Sequence, residues 1–240
     1  FAYNPKFSII VPVYKTPETY LKQLIRSLQN QTYENWELCI SDGSGASSPI
    51  ADYLKRAQAE DARIRVCSSE KPLKISDNTN RAMDMAEGEF LAFADHDDLL
   101  TADALYECAC VLNENRDIDV IYTDEDKISE SGRLHFQPNF KPDFNIDLLC
   151  SVNYICHLFV VRKSLQREAG IFRHEFDGAQ DYDFIFRCVE KTEKIYHIPK
   201  ILYHWRSHEN STALDPDSKE YAFEAGLRAI QAHYDRMGID

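Results

Sequence analysis

The chain has 240 residues, enough for one sizeable α/β domain with a substantial core, and its 44% hydrophobic and 28% charged content is that of an ordinary globular protein. Lys and Arg number 27 against 40 Asp and Glu, a net charge of −13 that argues against a nucleic-acid binder, which needs a basic footprint. Seven cysteines, odd in number and without a C-x-x-C pair, read as reduced core residues of a cytosolic protein rather than as a disulfide framework or zinc site. No apolar run approaches the roughly 20 residues of a membrane span and no signal peptide is evident; a start at Phe1 without methionine suggests a piece of a longer polypeptide.

In chain order, residues 7–11 read as a buried strand that stops at Pro12, and Leu21, Leu24, Ile25 and Leu28 mark a helix face at i, i+3, i+4, i+7. A second strand covers 36–40 and is closed by Ser41-Asp42-Gly43-Ser44. A helix over 49–61, a strand over 64–67 and a helix over 75–86 stopped by Gly88 follow. The run 90–94 is too short for a helix and fits a buried strand, and it ends abruptly in Asp95-His96-Asp97-Asp98. Leu105, Cys108, Ala109 and Leu112 mark the next helix, and 119–122 a fifth strand. Such alternation with short connections predicts an α/β fold with a mostly parallel, doubly wound sheet. Ligands of such sheets bind beyond the carboxyl ends of strands, so Pro12, Asp42 and Asp95 can face one crevice.

Beyond Asp124 the pattern loosens. Residues 129–144 read as turn-rich, 158–161 as a strand, 163–169 as a short helix, and Phe184, Ile185, Cys188 and Val189 as the face of a helix starting near Asp181. Two short strands, 195–198 and 201–205, are expected on either side of Pro199, with His208 on a loop beyond them. A last helix carries Phe223, Leu227, Ile230 and Tyr234 on one face. No repeat, linker or clean domain boundary is visible.

Three carboxylates at the tip of a buried strand are costly unless neutralised, and hard divalent cations with oxygen ligands are the usual means. Together with Val11-Pro12-Val13-Tyr14, the stretch from Gln31 to Glu37, Ser41 to Ser44, Tyr122 to Lys127, Gly178 to Asp183 and Leu202 to Arg206, this tip makes the chain resemble the family 2 glycosyltransferases of the GT-A fold. It is most similar to bacterial enzymes that build cell-surface polysaccharides such as O-antigen. The joint occurrence of these stretches in family order is far more specific than any one of them.

The resemblance implies a single GT-A domain over 1–240, with a nucleotide-sugar-binding half (1–127) and an acceptor and catalytic half (128–240). It implies that Asp95-His96-Asp97 is the D-x-D motif holding Mn²⁺ or Mg²⁺ against the diphosphate of a sugar nucleotide, with Asp97 the direct ligand and Asp95 sharing the metal or touching the ribose. A late histidine, matched here by His204, would complete the metal site, and Arg206 on the same strand face could reach the diphosphate. Pro12, Tyr14 and Asp42 would hold the base, the carboxylate accepting an imide N–H of uracil or thymine and so favouring UDP or dTDP. Asn80 would approach the donor. The general base for a single inverting displacement would be Asp181, with Asp183 as fallback, and the run Asp124 to Lys127 would read the acceptor. Trp205 and Tyr182 offer rings to stack on a sugar. The acceptor would be a glycan, free or lipid-linked; a lipid-linked one would bring this protein peripherally to the inner face of the cell membrane.

Each feature has a plainer reading beside it. The acidic tip could cap the following helix, Asp42-Gly43 could be turn chemistry, Asp181 an N-cap, and 124–127 an acidic surface loop. As whole-protein alternatives, Asp95 could be the nucleophile of a metal-dependent phosphohydrolase, or the chain a non-catalytic nucleotide- or glycan-binding module of a multidomain polymerase.

Overall fold

The computed structural model describes residues 1–207 and 216–239, so His208 lies outside the described residues. The first half alternates as the periodicity requires: β1 (Phe7–Val13), α1 (Glu18–Gln29), β2 (Trp36–Asp42), α2 (Ala51–Glu60), β3 (Ile64–Ser68), α3 (Ile75–Asp84) and β4 (Phe90–Phe93). A two-residue β5 (Leu99–Leu100) follows the acidic tip, then α4 (Ala104–Glu114), β6 (Val120–Ile128), β7 (His135–Asn139), α5 (Ile146–Leu149), β8 (Phe159–Arg162), α6 (Lys163–Ala169), α7 (Gln180–Val189), β9 (Ile195–Arg206) and α8 (Pro216–Met237). The described strands form one sheet in the order β3-β2-β1-β4-β8-β6-β9-β5, with β7 paired to β6.

Strand alternation divides the core in two. Phe7, Ile9, Val11, Leu38, Ile40, Phe90 and Ala92 face the layer of α1, α2 and α4. Ile10, Cys39, Leu91 and Phe93 face the layer of α3, α7 and α8. Leu21, Leu24, Ile25 and Leu28 are the buried residues of α1, as their spacing requires. Each fully buried leucine there contributes about 1.5–3 kcal/mol relative to exposure, so a charge at Leu24 would break the α1 face. Gly88 does more than stop a helix: a Cβ there would lie 2.6 Å from both the Lys6 carbonyl oxygen and Ser8 Oγ.

Several expectations are corrected. β1 runs past Pro12 to Val13, because β4 pairs only with Phe7 to Ile10 and the proline's missing N–H falls where no strand needs it. The strands of the first half are not all consecutive neighbours, since β8 from the second half enters antiparallel between β4 and β6. The boundary drawn at 127 falls inside β6. That strand runs on through Asp124, Glu125 and Asp126, all buried, so this run is sheet rather than a surface loop. Part of the turn-rich stretch is the exposed strand β7. The two strands flanking Pro199 are one. β6 pairs Thr123 with Ile198 and Asp124 with Ile201, leaving Pro199 and Lys200 as a bulge that hides the absent N–H.

The last helix also faces otherwise than its apolar pattern implies. Ala225, Ala229 and His233 are buried while Phe223 and Leu227 are 68% and 52% exposed. Small residues let α8 approach α7 closely, where His233 stacks on Phe186 with centroids 4.4 Å apart. Packing distance outweighs hydrophobic size.

Candidate active site

β1, β2 and β4 run parallel, so their carboxyl ends reach one edge of the sheet, and a cavity of about 960 Å³ opens there. Pro12, Asp95, Glu125, His157, Asp181 and Trp205 are among the residues lining it. The topology thus brings both ends of the sequence pattern to one chamber.

At the β2 end, Asp42 is 1% exposed. Its Oδ1 accepts the Ser44 N–H at 3.0 Å, the turn geometry expected of Asp-Gly, but its Oδ2 is buried without a partner among the described residues. A buried carboxylate oxygen left unpaired is expensive, and a ligand N–H would repay it. Asn78 lies beside it, its amide donating to the Val13 carbonyl at 2.9 Å while its Oδ1 is also unpartnered. The Lys15 N–H donates to Ser44 Oγ at 2.8 Å and ties the loop of Tyr14 to that of Asp42. The Tyr14 ring is exposed, with the Lys15 ammonium 5.3 Å from its centroid.

At the acidic tip the four residues divide their labour. Asp98 is fully buried; it accepts the Tyr203 hydroxyl at 2.6 Å and the Arg206 N–H at 2.7 Å. Burial first, then Asp97 and Asp95, raise its pKa well above the usual range. The Tyr203 hydroxyl in turn accepts the Asp95 N–H at 3.0 Å, so Asp98 anchors the tip to β9. The Asp95 carboxylate faces the cavity. Desolvation raises its pKa, His157 draws it down, and Asp97 and Asp181 push it up. His157 Nε2 stands 3.4 Å from Asp95 Oδ2, and its Nδ1 is buried without a described partner. His96 Nδ1 is 3.2 Å from Asp97 Oδ1; burial opposes its charge, but the nearby Asp97 carboxylate outweighs that and raises its pKa.

Ligand atoms of Asp95, Asp98 and His157 lie within 4.8 Å of one another. Both Asp98 oxygens are already used within the chain. Asp95 and His157 are the members of that group open to the cavity, Asp97 is not part of it, and a carboxylate with an imidazole and open water positions suits Mg²⁺ or Mn²⁺. The residues present fit such a cation.

Across the chamber, Asp181 sits in the first turn of α7. The N-cap is Ala179, so Asp181 is not the cap. Its Oδ1 accepts the Tyr182 N–H at 2.9 Å and its Oδ2 the Asn153 side-chain amide at 3.1 Å. Asp183 is excluded as a base: it is fully buried and ion-paired with Arg187 at 2.8 Å and with Arg173. Glu125 lines the cavity, accepting the His157 N–H at 2.5 Å, with the buried Lys141 ammonium 3.5 Å away. Burial lowers the Lys141 pKa. Trp205 lines the cavity, whereas the Tyr182 ring is buried and its hydroxyl donates to the Leu149 carbonyl, which removes it as a sugar platform.

Three expected site residues are placed elsewhere. His204 points to the face of β9 opposite Tyr203 and Trp205, where its Nδ1 meets Asp126 Oδ1 at 2.5 Å; its metal-capable group contains neither Asp95 nor Asp97. Arg206 is 0% exposed, its guanidinium donating to the carbonyls of Asp97 and Glu130 and to Gln23 Oε1, so it is a structural clasp rather than a diphosphate ligand. Asn80 exchanges two 2.8 Å bonds with the Phe172 backbone, which occupies both ends of its amide. His157, Asn153 and Asn78 carry no sequence signal of their own. His157 precedes β8, and only the knowledge that β8 is antiparallel would put its start at the carboxyl edge of β4.

A family model described as glycosyl transferase family 2 matches residues 8–169. An uncharacterized protein, y4gI, of Sinorhizobium fredii is 43% identical over 97% of this chain and 26% of its own length. The O-antigen biosynthesis protein RfbC of Myxococcus xanthus is 33% identical over 98% of this chain and 18% of its own. The chain thus spans about a quarter or less of these relatives. Among solved structures, S. aureus TarS 1–349 in complex with UDP-GlcNAc superposes with a TM-score of 0.77 at 23% identity, over 95% of this chain and 66% of that one. This last likeness is one of fold, and the fold is GT-A.

Proposed function

The chain belongs to glycosyl transferase family 2, and from that membership and the geometry of the crevice we propose that it moves a sugar from UDP or dTDP to a glycan acceptor, with inversion and with a divalent cation. The observation that carries this reading is that Asp95 and Asp181, far apart in sequence, line one cavity. A role in surface-polysaccharide synthesis is supported by the similarity to RfbC, an O-antigen biosynthesis protein. A UDP-sugar donor is supported by the shared fold of TarS, which was crystallised with UDP-GlcNAc.

Asp42 reads the base with its unpaired Oδ2, and the Tyr14 ring lies beside it. Asp95 and Asp97, with His157 as neighbour, would hold Mn²⁺ or Mg²⁺, whose charge stabilises the diphosphate as it leaves. Asp181 takes the proton of the acceptor hydroxyl while that oxygen attacks the anomeric carbon and the bond to the diphosphate breaks. No covalent intermediate is needed. The Tyr182 N–H and Asn153 fix the carboxylate, and each of its oxygens keeps a lone pair for the acceptor. Trp205 offers a stacking face, and Glu125, held in place by the His157 N–H and Lys141, binds an acceptor hydroxyl. Among the described residues no helix is long and apolar enough to cross a membrane, and a lipid-linked acceptor would be met at the membrane's inner face.

The reading is tested by thermal shift with UDP, dTDP and CDP, each with and without Mn²⁺. UDP or dTDP should stabilise the protein, and more strongly with metal; indifference to every nucleotide would sink the assignment.

A further inference from the structure

Outside the lining of the cavity, three side chains converge that the transfer reaction does not use. Asp126 Oδ1 lies 2.5 Å from His204 Nδ1, and Asp126 Oδ2 lies 2.9 Å from His135 Nδ1. The two imidazoles meet edge to face with centroids 4.6 Å apart, and the three ligand atoms lie within 4.8 Å of one another. A β-bulge makes this possible. The β6–β7 register shifts between Glu125 and Lys127, where β7 carries the extra residue and Gln137 and Pro138 stand opposite Asp126 alone. Asp126 is buried, His204 is largely so, and His135 is half exposed, leaving one open side.

We propose that Asp126, His135 and His204 form a second cation site, separate from the diphosphate site. It takes an imidazole-preferring divalent ion of the Zn²⁺ or Co²⁺ class, with water at a fourth position. Two imidazole nitrogens and one carboxylate match that class better than Mg²⁺ or Ca²⁺, which favour all-oxygen sets. Tetrahedral bonds of about 2.1 Å put neighbouring ligand atoms about 3.4 Å apart, within the spread seen here after small side-chain rotations. The alternative is two imidazole N–H groups sharing one carboxylate, which binds nothing. The site joins three strands, β6, β7 and β9, and β7 carries Asn139, which lines the cavity and donates to Glu125 at 3.3 Å. An ion here fastens that rim to the sheet.

The test is Co²⁺ titration of the chelator-stripped full chain, followed by visible absorption. A single tetrahedral d–d band should saturate at one equivalent without the near-ultraviolet charge transfer of a thiolate, which separates the site from the seven free cysteines. Loss of a first ligand in His135→Ala should weaken it at least about 100-fold, since even an outer-shell partner is worth 10–100-fold. Asp126→Asn should do the same, and Asp97→Asn should leave the band in place. The half-exposed His135 can be removed without opening the core. No tetrahedral band, a band that survives His135→Ala, a thiolate signature, or loss in Asp97→Asn would each overturn the proposal. Stabilisation by UDP with Mn²⁺ is read separately, so failure here leaves the donor assignment standing.

Discussion

Asp181→Asn separates catalysis from folding more cleanly than any other change in this site. The substitution keeps the shape of the side chain and removes its ability to take a proton. The Tyr182 N–H can still be accepted by the amide oxygen. The bond from Asn153 Nδ2 to Oδ2 would then face an NH₂, but Asn153 Oδ1 is buried without a described partner, so a flip of the Asn153 amide restores the pairing. The stability cost is that of a modest hydrogen-bond rearrangement, about 1 kcal/mol or less, a melting shift of no more than about 4 °C for a domain of this size. A missing general base costs about 10²–10⁴-fold in kcat, equivalent to about 2.7–5.4 kcal/mol of barrier at about 1.36 kcal/mol per decade. The assay is release of the nucleoside diphosphate with donor and acceptor present, beside calorimetric titration of UDP with Mn²⁺. Transfer should collapse while UDP affinity and melting temperature hold. A variant that keeps more than about a tenth of the rate, well above the range for a lost base, would refute the assignment. So would one that loses UDP binding in step with activity.

Asp42→Asn should weaken UDP binding roughly 10-fold, since a charge-assisted bond becomes a neutral one, and it should narrow the preference for UDP over CDP; calorimetry with both nucleotides reads the change. Glu37 is held at a pKa of about 2 because the bonds from Lys6, Ser8 and the Glu87 N–H outweigh a burial penalty that acts the other way. With an ordinary value of 4.5 when unfolded, it contributes about 3 kcal/mol above that pH, lost as pH falls toward 2; urea unfolding of wild type should show this acid loss and Glu37→Gln should not. Arg206→Met should cost about 3–5 kcal/mol, because the Asp97 and Glu130 carbonyls and Gln23 Oε1 each lose a buried donor worth about 1–3 kcal/mol; a melting temperature lower by roughly 10 °C would show it.

The first half of the chain is legible in the sequence because its code is local. Strand, helix and turn signals alternate along the chain, and the carboxyl end of each parallel strand is known once the strand is found. Periodicity alone therefore places Asp42 and Asp95 at one edge. The second half of the chain is coded by pairing across long distances. Nothing within Ser129 to Phe144 announces that His135 folds back beside Asp126, nor do the residues of Leu158 to Val161 say that they run antiparallel between two parallel strands. Alternation puts His204 and Arg206 on one face of their strand, and it cannot say which side of the sheet the cavity occupies.

The insertion of β8 explains why the two halves act as one site. Were β6 next to β4, as simple parallel winding would have it, the acidic tip would end a strand whose neighbour offers only another carboxyl end. β8 instead pairs Phe93 with Phe159, bringing the start of an antiparallel strand, and with it His157, against Asp95. The same residue offers its backbone N–H to Glu125 at 2.5 Å. Tyr203 and Arg206, from β9, close the circuit by holding Asp98. The two walls of the cavity therefore share a continuous set of polar contacts, from Glu125 through the backbone and ring of His157 to Asp95, and from Asp95 through Tyr203 to Asp98. Moving either wall alone would break at least one buried bond of this set, each costing about 1–3 kcal/mol when left unmade. Asp181 lies outside this set, on α7, where its carboxylate is held by the Tyr182 N–H and the Asn153 amide, so its place in the cavity depends on how α7 packs on the sheet.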